Sequence, residues 1–185
     1  MDVYSDVRIH KDKDLSLWFI PPSIQYPAGY FEGEAERGIC GCGVWLGINH
    51  RLHYKISCNG GSGINMREEI LALWGLLWFS KKLSMDSIYV YGDSKTLIDR
   101  VSANTFFSPA NLSGWISHIN ILKQSFNHIT FLHIFRQSNF IVDSLSKKGL
   151  LDDIGYMHFV YPEENTIRKK ARFYSLSFKQ NVFVS

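Results

Sequence analysis

The chain has 185 residues, 45% of them hydrophobic and 15% aromatic, with a formal net charge of +3. That is enough apolar material for one domain with a real core plus a tail, and it excludes extended disorder. No apolar run reaches membrane-spanning length, and the weak positive charge is compatible with a polyanionic partner without requiring one.

Residues 1–28 carry charge pairs and then WFIPPSIQYPAG, whose prolines argue against a regular element. They read as a lead-in. Residues 30–35 alternate as a strand, with Tyr30, Glu32 and Glu34 on one side and Phe31, Gly33 and Ala35 on the other. Residues 43–48 and 51–58 are a second and a third strand. The short links at 36–38 and 47–50 imply an antiparallel meander. Residues 59–63, NGGSG, read as a flexible break.

Residues 65–83 then predict a long helix with apolar residues around most of its circumference, the mark of a buried element. Met66, Ile70, Leu73, Leu76 and Leu77 share one face, with Glu69 in its middle. Glu68 falls about 100° away, towards an edge where a carboxylate needs no explanation. Glu69 either turns to the rim or is held by a cation, a donor network or a metal. Residues 87–93 are a fourth strand; strand-helix-strand order makes it a parallel neighbour in a mixed sheet. A short helix over 94–103, a third helix over 112–126, a fifth strand over 128–136 and a last helix over 139–150 complete the pattern, with Asn139 in the N-cap position. The order is β-β-β-α-β-α-α-β-α. From Leu151 onwards no period is legible, and a basic cluster stands out: Arg168, Lys169, Lys170 and Arg172, followed by Phe173 and Tyr174. The division expected is a lead-in at 1–28, a domain at 29–150 and a tail at 151–185.

Three cysteines, Cys40, Cys42 and Cys58, are an odd number without disulfide spacing. They suit a reducing compartment and read as core residues. With no apolar secretion signal at the N-terminus, an intracellular protein of nucleus or cytoplasm is expected.

Four carboxylates fall where open mixed sheets place chemistry. Glu32 lies on the first strand and Glu69 in the long helix. Asp93 ends the fourth strand, and Asp143 lies in the first turns of the last helix. Each has a plainer reading. Glu32 and Glu34 fit the solvent face of an edge strand, Asp93 a helix cap, and Asp143 an acid favoured by the helix dipole. If the first and fourth strands are neighbours, the four converge, and such a group is tolerable only with cations. A hard divalent ion with oxygen ligands resolves the conflict, and Mg²⁺ is the usual choice for phosphate chemistry.

The strings FEGEA, GCGV, NMREEILAL, GDSKTLID and RQSNFIVDSLSK, in this order, resemble the ribonuclease H family. The likeness is to the shortened plant form found in retroelement reverse transcriptases and as free-standing copies, and it spans residues 30–150. It implies an α/β RNase H-like fold with a five-stranded mixed sheet flanked by helices. It also implies cleavage of the RNA strand of an RNA/DNA hybrid by two Mg²⁺ ions, with Mn²⁺ as a substitute. The partner would be a hybrid or another nucleic acid, with no membrane involved, and the chain part of, or derived from, a retroelement polyprotein. By position, Glu69, Asp93 and Asp143 match the family's acids. Asn65 and Arg67 match residues that meet the hybrid backbone, while Ser94 and Asn139 match supports beside the site.

The pattern departs from the family in three places. The first acid is Glu32 rather than aspartate, Glu34 stands where a small residue is usual, and the loop before the last helix holds no histidine. His133, in the strand, reads as structural. Trp74 and Trp78 fit either core packing or stacking on nucleic acid, and the basic tail either phosphate contacts or solvent. Two functional readings therefore stand beside the enzyme: an inactive RNase H-like module that binds nucleic acid, and a structural remnant of a retroelement.

Overall fold

The computed structural model describes residues 24–62, 67–104, 113–160, 167–173 and 183–184. Its elements are β1 (Ala28–Glu36), β2 (Ile39–Gly47), β3 (His53–Ser62), α1 (Arg67–Lys82), β4 (Ser87–Gly92), α2 (Lys95–Ser102), α3 (Ser113–Gln124), β5 (His128–His133) and α4 (Phe140–Gly149). Three further strands follow: β6 (Tyr156–Val160), β7 (Ile167–Phe173) and β8 (Phe183–Val184). The expected order holds through α4. The chain forms one mixed sheet in the order β5-β4-β1-β2-β3-β6-β7-β8.

A two-residue turn with both central residues at positive φ, Arg37 at 51° and Gly38 at 78°, closes the β1–β2 hairpin. Such turns match the twist of the strands they join. β2 and β3 continue the antiparallel meander. The crossover through α1 brings β4 in parallel beside β1, and β5 lies parallel to β4. β1 is thus central, and its register sets the two faces of the molecule. Phe31 pairs with Val44, and both belong to the main core with Leu73, Leu76 and Leu77 of α1. On the opposite face Tyr30, Trp45 and Tyr91 pack with Val142 of α4. Tyr30 stacks on Tyr91 with ring centroids 4.8 Å apart.

Trp74 and Trp78 pack against the main core from its rim, and Trp74 meets Trp115 edge-on at 5.1 Å. Cys40, Cys42 and Cys58 are free and buried, as expected of core residues. Among the described residues no helix is long and apolar enough to cross a membrane.

Two expectations are corrected. The NGGSG stretch is no flexible break as far as Ser62: Asn59 to Ser62 complete β3, and Asn59 Nδ2 donates to the carbonyls of Leu150 and Asp152. The sheet also has eight strands rather than five. β6 pairs antiparallel with β3 and covers what would be an exposed edge. Met157 and Phe159 enter the main core, with Phe159 against Phe79. On the other face Ser57 Oγ donates to Asp152 Oδ2 at 2.6 Å, while His158 Nδ1 lies 3.7 Å from Asp152 Oδ1. The five residues of β6 are too few for a legible alternation, and the basic run of β7 hides its strand character.

Candidate functional site

Two glycine contacts position the site. A Cβ on Gly33 would lie 2.4 Å from the backbone of Glu68 and Glu69, so a glycine there lets the first turn of α1 rest on β1. On the other face a Cβ on Gly43 would lie 2.2 Å from the Val142 carbonyl oxygen. Gly43 is the register partner of Glu32, so α4 settles on the strand directly beside that acid.

Glu32 projects from β1 towards α4 and is 4% exposed. Asn139 Nδ2 donates to Glu32 Oε2 at 2.7 Å and to the Phe31 carbonyl at 3.0 Å. Asp93 follows the last residue of β4 at the carboxyl end of two parallel strands, where open α/β sheets bind ligands. Its carbonyl oxygen lies 3.2 Å from Nε2 of the exposed His133. Glu69 comes from the first turn of α1. Glu32, Glu69 and Asp93 each place a ligand oxygen within 4.8 Å of the others.

Burial and like charge raise the proton affinity of Glu32 and Glu69. Glu32 is pushed up to about 9, first by burial and then by Glu69 and Asp93, with the Asn139 hydrogen bond opposing. Glu69 is pushed up to about 8, again chiefly by burial, then by Asp93 and Glu68, while Arg136 opposes. Glu69 Oε2 is buried without a hydrogen-bond partner. Crowded, dehydrated oxygens, one of them orphaned, are a donor set suited to a hard divalent cation.

Asp143 stands apart from these three. It lies in the first turn of α4, and its oxygens face cations of this chain: Lys147 Nζ at 2.7 Å from Oδ2 and Arg136 Nη2 at 3.5 Å from Oδ1. Arg136 Nη2 also lies 3.7 Å from Glu34 Oε2. Glu34 is therefore engaged with a guanidinium.

Other expected positions divide. Asn65 lies outside the described residues. Arg67 opens α1, and its side chain lies outside them too. Ser94 takes the N-cap position of α2 without a side-chain cap bond. Asn139 occupies the N-cap position of α4, yet makes no cap bond there, because its amide turns inward to Glu32. Being 1% exposed, it supports the site from below. Arg168, Lys169, Lys170 and Arg172 lie in β7, with side chains outside the described residues, as is all of Tyr174.

One acid was misplaced by helical phase. Glu68, expected at an edge, is 6% exposed; Cys40 Sγ lies 3.8 Å from its Oε2, and Cys42 Sγ donates to its carbonyl. The N-terminus of α1 lies so close to the sheet at Gly33 that its edge is covered as well. Arg136 was passed over as a loop residue. Its only sequence signal was its place seven residues before Asp143.

Residues 51–149 match the profile of the reverse transcriptase-like family. That span holds Glu69, Asp93 and Asp143, and leaves out Glu32. Among solved structures the chain is similar to RNase H1 from the halophilic archaeon Halobacterium salinarum, at 21% identity over 68% of this chain and 98% of that one, with a TM-score of 0.60. It is similar also to the N-terminal RNase H domain of a Mycobacterium tuberculosis protein solved as a fusion with maltose binding protein, at 20% identity, 66% and 93% coverage and a TM-score of 0.61. A third likeness is to LC11-RNase H1 solved in complex with RNA/DNA hybrid, at 21% identity, 66% and 95% coverage and a TM-score of 0.54. At these identities the likeness establishes an RNase H-like fold. No curated protein matches the chain.

Proposed function

Because this chain belongs to the reverse transcriptase-like family and has an RNase H-like fold, we propose that it is a metal-dependent endoribonuclease acting on the RNA strand of an RNA/DNA hybrid. One observation carries the reading: Glu32, Glu69 and Asp93, from three separate elements, bring oxygens within 4.8 Å of one another. These residues would hold Mg²⁺, or Mn²⁺ in its place, and Asp143 would complete the acidic wall. A divalent ion there would supply charge neutralisation at the scissile phosphate and an acidified water.

The rest of the work falls to the chain's own groups. Asn139 fixes the carboxylate of Glu32 with a hydrogen bond, limiting its rotamers. Helix N-termini in general suit phosphate, which supports a role for Asn65 and Arg67, at the start of α1, in binding the nucleic-acid backbone. Ser94 stands beside Asp93, where a hydroxyl can meet the same strand. The solved hybrid complex of a protein with this fold supports an RNA/DNA hybrid as the substrate class.

A second reading has its own observations. Glu32 replaces the aspartate of the family pattern, and Asp143 is engaged by Arg136 and Lys147. Both favour a binding module without catalysis. The same family supports descent from a retroelement polyprotein, and three free buried cysteines support a reducing compartment such as nucleus or cytoplasm. The deciding experiment is cleavage of a labelled RNA/DNA hybrid in Mg²⁺, with Asp93→Asn as control. Cutting that depends on Asp93 supports the enzyme. Equal inactivity of both proteins, with hybrid still bound, establishes the binding module.

A further inference from the structure

The turn between β5 and α4 carries an exposed aromatic pair. Phe135 is 75% exposed, and its ring meets that of the exposed His133 edge-on at 6.0 Å. A scattered apolar side chain on a surface needs no explanation. This ring differs in its backbone and in its neighbours. On one side the Ile134 N–H donates to the Gly92 carbonyl at 3.0 Å, so the chain leaves β5 still tied to β4. On the other, Arg136–Ser138 make one 3-10 turn, in which the Ser138 N–H donates to the Phe135 carbonyl at 2.8 Å. Asn139 then anchors the turn inward, on Glu32 and the Phe31 carbonyl. Phe135 is part of neither hydrophobic core. A backbone pinned at both ends thus holds a bare ring out to solvent, which is how a contact for a partner is pre-organised.

The neighbours say which partner. His133 Nε2 lies 3.2 Å from the Asp93 carbonyl oxygen. Arg136, next in the chain, has its guanidinium 3.5 Å from Asp143 Oδ1 and 3.7 Å from Glu34 Oε2. The ring therefore stands at the rim of the carboxylates, between the strand end that carries Asp93 and the helix that carries Asp143. Two cations share that rim, the side chains of Arg136 and Lys147, both more than half exposed. Cations beside an aromatic face suit a single strand of nucleic acid: the cations follow the phosphates and the ring takes the face of a base. A continuous duplex has no face to give, because its bases are stacked inside and a protein meets only backbone and groove edges.

We propose that Phe135, with His133 at its edge, stacks on one unpaired base next to the phosphate held at the carboxylates, so that the site takes a hybrid opening into a single strand in preference to one that continues as a duplex. The inference rests on the nucleic-acid reading above and adds a preference within that substrate class. Phe135 is a specificity contact, and no bond is made or broken at it. Stacking of one base on an aromatic side chain raises affinity by about tenfold or more. Every base has such a face, so the preference is for the tail and not for its sequence.

The test is fluorescence anisotropy of the whole chain in Mg²⁺ with two kinds of labelled hybrid, one blunt and one with a short single-stranded RNA tail, placed at each end in turn. Methylated 2′-oxygens keep the RNA uncut, so that binding is read alone. The wild type should bind a tailed hybrid about tenfold more tightly than the blunt one. Phe135→Ala should lose the preference and bind the blunt hybrid as the wild type does. Phe135→Leu, apolar but without a π-face, should lose it too, and Phe135→Trp should keep it. A wild type blind to tails, a preference that survives Phe135→Ala or Phe135→Leu, or equal weakening of both hybrids would each overturn the stacking role and leave the nucleic-acid reading standing. No binding of either hybrid by the wild type would overturn that reading, and this inference with it. Sedimentation of the free proteins supplies one more outcome: a wild-type dimer that Phe135→Ala takes apart would seat the ring against a second copy of the chain instead. Phe135 is a surface side chain, so melting curves of the variants should overlay the wild type and confirm folding.

Discussion

Asn139 Nδ2 donates to Glu32 Oε2 at 2.7 Å, joining the start of the last helix to the central strand across 107 residues of sequence. The same amide holds the Phe31 carbonyl. Two buried acceptors on β1 thus depend on one side chain, and leaving such groups unpaired costs about 1–3 kcal/mol. Asn139→Ala should lower the unfolding free energy by that amount in urea, with an unchanged denaturant slope. It should also weaken Mn²⁺ binding, because Glu32 loses the contact that orients it. A variant as stable as wild type would show that the amide is dispensable.

Glu32 is a crowded ligand. Its carboxylate sits with Glu69 and Asp93, and burial first, then those two acids, raises its proton affinity. Shortening it by one methylene draws it back by roughly an ångström, a displacement that can change a rate by about a hundredfold. Glu32→Asp should therefore cut a labelled hybrid faster than wild type, by about tenfold or more. Equal or slower cutting would mean that the longer side chain suits this site.

The raised proton affinities fix the sign of a pH effect. Glu32 and Glu69 bind protons more tightly in the folded chain, at about 9 and about 8, than at their ordinary value of 4.5. Their contribution to stability is complete below that ordinary value and is lost as pH rises through the folded values. In chelator, the melting temperature should fall as pH is raised from about 6 to about 9. With Mg²⁺ or Mn²⁺ present the fall should shrink or reverse, because deprotonated ligands bind metal and metal favours the folded state. Parallel pH profiles with and without metal would argue against an ion at these carboxylates.

The segment after Leu150 supplies core as well as a sheet edge. Met157 and Phe159 are buried at 1% and 3% exposure, and β6 covers β3. Losing two such side chains costs on the order of 5 kcal/mol, comparable with the whole stability of many domains. A chain ending at Leu150 should therefore be insoluble or should melt far below the full chain. A truncated chain with unchanged melting would place the boundary of the folding unit at 150.

How much of this was legible in the sequence follows from the reach of each interaction. Alternation in FEGEA and GVWLGI, the apolar helix after them and the parallel return at SIYVYG are local patterns, and they fixed the element order through α4. Local phase also put Glu69 among apolar neighbours, where its cost was visible. The same phase misjudged Glu68, because how deeply a helix end sinks depends on Gly33, a residue of another strand. Asn139 looked like a cap, because only folding reveals that a carboxylate more than a hundred residues away offers its amide a better partner.

Convergence itself belongs to the tertiary structure. The sequence determined that acids lie at a strand, a helix start and a strand end, since those places follow from short-range periodicity. It did not determine that Glu32, Glu69 and Asp93 would close on one another while Asp143 turned to Arg136 and Lys147. That choice depends on how closely α4 approaches β1 over Gly41 and Gly43, and through-space charge acts over distances that no sequence spacing records.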